Sequence, residues 1–149
     1  MDPFNADIAR VAYEAVRAYS QTFGDHARPP WDSAAQWVHD TYLNAVERIR
    51  ATLAISPKAV HQFWREDMER MGWRYGTVRA PENLEHPCLG AYEDMPAWIQ
   101  VKALLIISVV RALAPEAALP PPVAVGPASA PEPEVMVAPF KRKSKKGDA

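Results

Sequence analysis

A mainly α fold, four helices with one short β element ahead of a proline-rich tail, is predicted from three observations. Apolar residues recur at three- and four-residue spacing in four separate stretches. Glycine, proline, serine or aspartate punctuates the joins between them. The composition then changes at Ala114: eight of the fifteen prolines in the 149-residue chain lie beyond it. Residues 1–114 are therefore read as one compact domain and residues 115–149 as a disordered Pro/Ala-rich tail, because such a segment cannot bury enough apolar surface to offset its ordering entropy. The tail ends in the basic cluster Lys141-Arg142-Lys143-Ser144-Lys145-Lys146.

The first helix is read from Asn5 onward, with Ile8, Val11, Ala12, Ala15, Val16, Tyr19 and Phe23 as its apolar stripe and Gly24 as its stop. Arg10, Glu14 and Arg17 fall on the other side and read as a solvated charged face. Arg28-Pro29-Pro30-Trp31 is an extended connection, since a residue before proline is driven out of the helical region. Asp32 is the expected N-cap of the second helix, whose stripe is Trp37, Val38, Tyr42, Ala45, Val46, Ile49 and Leu53. Ser56-Pro57 starts the third, with serine capping and proline at the first helical position. Val60, Phe63 and Met71 are its core stripe, and Gly72 ends it. Trp73 to Arg79 reads as a short extended or hairpin segment, with no further strand expected after it. Residues 81–95 read as a loop, and Glu93-Asp94-Met95-Pro96 opens a last helix so nearly apolar all round that it should be the central one.

Charge and cysteine content narrow the function. Seventeen basic against eighteen acidic residues give no global field toward nucleic acid or anionic lipid. The apolar run Ala103 to Val110 is far short of the roughly 20 residues of a membrane span. No secretory leader is read at Met1–Phe4, and the lone Cys88 suits a reducing compartment, so a cytoplasmic location is expected. His26, His39, His61 and His86 do not pair at metal-ligand spacing, and no glycine-rich loop precedes a helix, so neither a metal nor a cofactor is expected. Cys88, tied to His86 across a proline, reads as a small buried apolar residue and not as a nucleophile. No catalytic constellation is recognised.

The informative stretch is 61–79, where His61, Trp64, Arg65, Arg70, Trp73, Arg74, Tyr75 and Arg79 crowd together. His61 and Trp64 lie one helical turn apart, with Trp64 at the edge of the core stripe. An available indole stacks on a purine and guanidinium groups hold phosphate, so the candidate ligand contacts are His61, Trp64, Arg79, Tyr75 and Arg74. The competing reading makes both tryptophans core side chains and leaves the arginines in solvent.

Trp64, then Gly72-Trp73-Arg74-Tyr75-Gly76-Thr77-Val78-Arg79, His86-Pro87-Cys88-Leu89 and Asp94-Met95-Pro96 resemble the repeat domain of ryanodine receptors, the RyR domain, which also occurs as small stand-alone bacterial and phage proteins. The resemblance covers about residues 8–113. It implies a mostly helical fold with a short β element. It further implies an adenine nucleotide stacked by tryptophan between paired repeats, with the stacking residue falling on Trp64, its neighbouring histidine on His61 and a basic contact on Arg79. This chain has one repeat, so a paired site calls for a homodimer. It also departs from the family in carrying Thr77 where a proline follows Tyr-Gly, and channel function does not transfer. The expectation is a non-enzymatic module binding an adenine nucleotide, ADP-ribose or a cyclic-nucleotide signal, which it would sense or sequester in defence signalling. The alternative is a protein-interaction module in which Trp64, Trp73 and Tyr92 dock a partner and the tail is a tether.

Overall fold

The computed structural model describes residues 3–115. The proline-rich tail and its basic cluster lie outside the described residues. Four helices, α1 (Pro3–Thr22), α2 (Gln36–Ala51), α3 (Pro57–Arg70) and α4 (Ala97–Leu113), surround a main core, and two short strands, β1 (Arg74–Tyr75) and β2 (Glu85–His86), stand between α3 and α4 in the chain. The mainly α architecture with a small β element is the predicted one.

The main core is built by α1, α2 and α4 around Ile8, Ala12, Tyr13, Val46, Ile49 and Val110, with Val60 reaching in from α3. Side chains of this size each contribute roughly 1.5–3 kcal/mol on full burial. The phase of α1 differs from the predicted stripe. Ala9 and Tyr13 are buried while Val11 and Phe23 are exposed, because α1 packs against α2 and α4 at once and its buried arc turns toward both. Phe23 instead stacks on Trp98 at the start of α4, 5.2 Å between ring centres.

The charged face of α1 is not simply solvated. Glu14 accepts a 2.7 Å hydrogen bond from the Trp31 N–H on Oε1 and one of 3.0 Å from Arg17 on Oε2. Arg17 Nε donates to the Arg28 carbonyl and Tyr13 Oη to that of Pro29. These contacts bind the extended 28–31 connection along α1. The Trp31 N–H holds the Glu14 carboxyl below its ordinary range. Asp32 does not cap α2. Residues Trp31–Ser33 form a 3-10 turn that seats Trp31 against Tyr13 and His39, and the chain stays extended through Ala35 before helix begins at Gln36.

Local chemistry sets α3 as read. Ser56 Oγ accepts from the Ala59 N–H, and Pro57 opens the helix. Its buried residues are Val60, Asp67 and Met68, while Met71 is exposed. The helix ends at Gly72, whose φ of 89° is open to glycine at little cost. Met68, Trp73 and Leu89 then make a second, smaller core with Trp37 and Trp64 packed against it.

The extended segment after Trp73 is not a hairpin. β1 pairs in parallel with β2, Arg74 opposite Glu85 and Tyr75 opposite His86, so strand structure returns in the stretch read as a loop. Gly76 permits the approach, since a Cβ there would stand 2.8 Å from that of Glu85. α4 touches all three other helices, yet Val101, Leu104 and Leu113 remain exposed. Among the described residues no element covers these positions, so even the most apolar helix keeps exposed apolar side chains.

Candidate functional site

Between the two cores lies a cavity of about 140 Å3, room for on the order of ten waters. Much of its lining is aromatic. Trp64 of α3, Trp37 and Tyr42 of α2 and Tyr92 from the turn before α4 all line it. Their placement follows from the chain path. Gly72 turns Trp73 under α2, where its ring meets Trp37 at 5.1 Å, and the β pairing brings His86 back edge-on to Trp64 at 5.2 Å.

Two histidines then clamp one residue. His86 Nδ1 accepts the Cys88 N–H at 3.0 Å, and His61 Nε2 donates to the Cys88 carbonyl at 2.8 Å. Cys88 is thus fixed through its backbone, with its half-buried side chain lining the cavity. Burial pushes its thiol pKa up, against the pull of Lys102 and Arg28, which leaves it a poor nucleophile.

Cations line it too. Arg28 from the extended connection, Arg79 from the loop between the strands and Lys102 from α4 all line the cavity, and among the described residues its lining contains no aspartate or glutamate. Tyr42 is buried, and that burial raises its hydroxyl pKa against the nearby charge of Arg28. Lys102 is 12% exposed at its side chain, lies 3.6 Å from Asp25 and sits with Nζ 4.5 Å over the Trp98 ring. Burial, then the charge of Arg28, lowers its pKa.

His86 reports the resulting field. Burial, followed by the charges of Arg79, Arg28 and Lys102, lowers its pKa from 6.5 to about 4. Burial also lowers His61, opposed by its bond to Cys88. Both imidazoles are neutral near pH 7. Such a site can take an anion joined to a planar ring: cations for the charge, aromatic faces for the ring, and neutral histidines as further polar contacts.

The structure brings His61, Trp64 and Arg79 together at this cavity. It does not bring Arg74 or Tyr75 there. Arg74 turns outward and pairs with Glu85 Oε1 at 2.9 and 3.1 Å, and Tyr75 is 59% exposed with its ring over Gly90. Trp73 is buried at 5% exposure, so it is a core side chain with no surface to offer a partner. Sequence reasoning missed Arg28 and Lys102. The available signal was Lys102 as the one charge between Ala97 and Val110 in an otherwise apolar helix. Among the described residues no group of three or more His, Cys, Asp and Glu converges as a metal site, and no helix is long and apolar enough to cross a membrane. No family model and no solved structure matches the chain.

Proposed function

We propose that this chain is a non-enzymatic ligand-binding module of RyR type that holds an adenine nucleotide or a nucleotide-derived signal such as ADP-ribose or a cyclic nucleotide. The observation that carries this reading is three cations on an aromatic-lined cavity whose lining, among the described residues, has no carboxylate. Trp64 is the stacking surface and Arg79 a phosphate contact, the roles the resemblance implies. Gln100 gives its amide N–H groups to the Tyr92 and Met95 carbonyls, so its oxygen is the end left to accept from an exocyclic amine. No activated nucleophile accompanies these groups, which favours holding over turnover. In a bacterium or phage such a module senses or sequesters a defence signal.

The test is a thermal-shift screen of the full chain with ATP, ADP-ribose, cyclic ADP-ribose and cyclic dinucleotides. A ligand at a hundredfold excess over its Kd adds about 2.7 kcal/mol of stability, an easily read rise in Tm. Silence across the panel overturns the reading.

The cavity is walled by one chain, so binding needs no second copy. The exposed α4 face of Val101 and Leu104 favours a second, compatible reading as an interaction surface, and it is where we place the homodimer. Light scattering that shows a monomer with and without nucleotide removes the dimer and leaves the cavity reading intact.

A further inference from the structure

We infer that the cavity selects ligands carrying about two negative charges beside a planar ring, with Arg28, Lys102 and Arg79 as its anion-binding set. This assignment rests on the nucleotide reading above and narrows it. The three cations come from three separate parts of the chain, so their convergence is a product of the fold and not of one basic run. Among the described residues neither Arg28 nor Arg79 has a carboxylate within salt-bridge distance, and Asp25 is the partner of Lys102 alone. Three cations less one carboxylate leave an excess of two positive charges around the cavity.

The neutral histidines do not raise that count. His86 keeps its Nδ1 for the Cys88 N–H, so its remaining ring nitrogen is an uncharged donor. The backbone segment that carries Arg28 is held in advance of any ligand, by Arg17 at the Arg28 carbonyl and by Tyr13 at that of Pro29. A segment fixed beforehand loses less entropy on binding than a free one. Like charges gathered at a partly desolvated site also repel one another, and an anion relieves that repulsion. A ligand with two charges matches the excess, and further charges meet no further cation.

The experiment is titration calorimetry of the full chain at pH 7.5 with adenosine, AMP, ADP-ribose and ATP. AMP and ADP-ribose each carry about two negative charges there, adenosine none and ATP about four. We expect AMP and ADP-ribose to bind at least about tenfold tighter than adenosine, and ATP no tighter than AMP. Arg79→Gln and Arg28→Met are expected to weaken AMP about tenfold or more and adenosine less than about twofold. The adenosine arm checks that the variants keep their fold. ATP binding tenfold tighter than AMP, AMP equal to adenosine, or equal losses of both ligands in Arg79→Gln overturns the charge assignment and leaves the nucleotide reading standing. Absence of binding by all four probes overturns the charge assignment, and together with silence of the cyclic nucleotides in the thermal-shift screen it overturns the nucleotide reading too.

Discussion

The α1–α2–α4 core and the cavity edge are built on opposite rules. In the core, Tyr13, Ile8, Ile49, Val46 and Val110 are fully buried, and charge is kept outside. At the cavity edge most side chains are half-buried, with Arg79 exposed, and they are aromatic and cationic with few acidic partners among the described residues. The first arrangement minimises free energy of the folded chain by itself. The second gathers Arg28, Arg79 and Lys102 round one cavity, with the charge of Arg28 acting against that of Lys102, a local cost of the kind expected where a ligand supplies the missing charge. The contrast predicts that substitutions in the two regions move different observables.

The largest effect is expected in the core. Ile49→Ala removes side-chain volume at a fully buried site and should lower unfolding free energy by about 2–5 kcal/mol in a urea melt. Nucleotide affinity, measured on the fraction still folded, should not change. A shift in affinity as large as the shift in stability would break the separation between the two regions.

Acid should act on the cavity edge first. His86 has a folded pKa of about 4 against an ordinary 6.5, so between these values the unfolded chain binds a proton that the folded one does not. Stability therefore falls as pH drops from 6.5 toward 4, by up to about 3 kcal/mol for this group. His61, lowered in the same direction by burial, adds to the loss. Melts across this range should show the decline in the native chain and a shallower one in His86→Asn. Equal slopes would mean that burial, and the cations beside it, shift His86 less than its surroundings imply.

Trp64→Ala tests the edge directly. Loss of a stacking surface should reduce AMP binding by roughly 1–3 kcal/mol, tenfold or more in affinity. The side chain also packs against the small Met68–Trp73–Leu89 core, so some loss of Tm accompanies it. Calorimetry at a temperature where the variant is fully folded separates the two. Unchanged affinity there would make Trp64 a packing residue and return the cavity edge to the rules of the core.

What the sequence made legible follows the same division. Ser56-Pro57 and Gly72 act through their nearest neighbours, so the ends of α3 could be read from local chemistry. The buried arc of α1 depends on two partners at once, and periodicity alone put Val11 and Phe23 inside. Parallel pairing of Arg74–Tyr75 with Glu85–His86 is non-local and carries no turn signature. His61 and Trp64 were legible as a pair because helical spacing puts them on one face. Arg28 and Lys102 join the same cavity only through the tertiary fold, and no spacing relates them to Trp64.

The smallest expected effect separates spacing from placement. Arg74 lies in the same aromatic and basic run as Arg79, and composition alone made the two equal candidates. The structure gives them different surroundings: Arg74 pairs with Glu85 across β1 and β2 with most of its side chain in solvent, while Arg79 lines the cavity. An exposed ion pair of this kind contributes about 0–1 kcal/mol, so Arg74→Ala should change Tm by no more than a few degrees. AMP affinity should stay within about twofold, since a charge directed to solvent is screened from the cavity at ordinary ionic strength. Calorimetry on Arg74→Ala beside Arg79→Gln makes the measurement. If Arg74→Ala weakens AMP as much as Arg79→Gln does, the ligand extends over the β element, and the anion site is wider than the cavity.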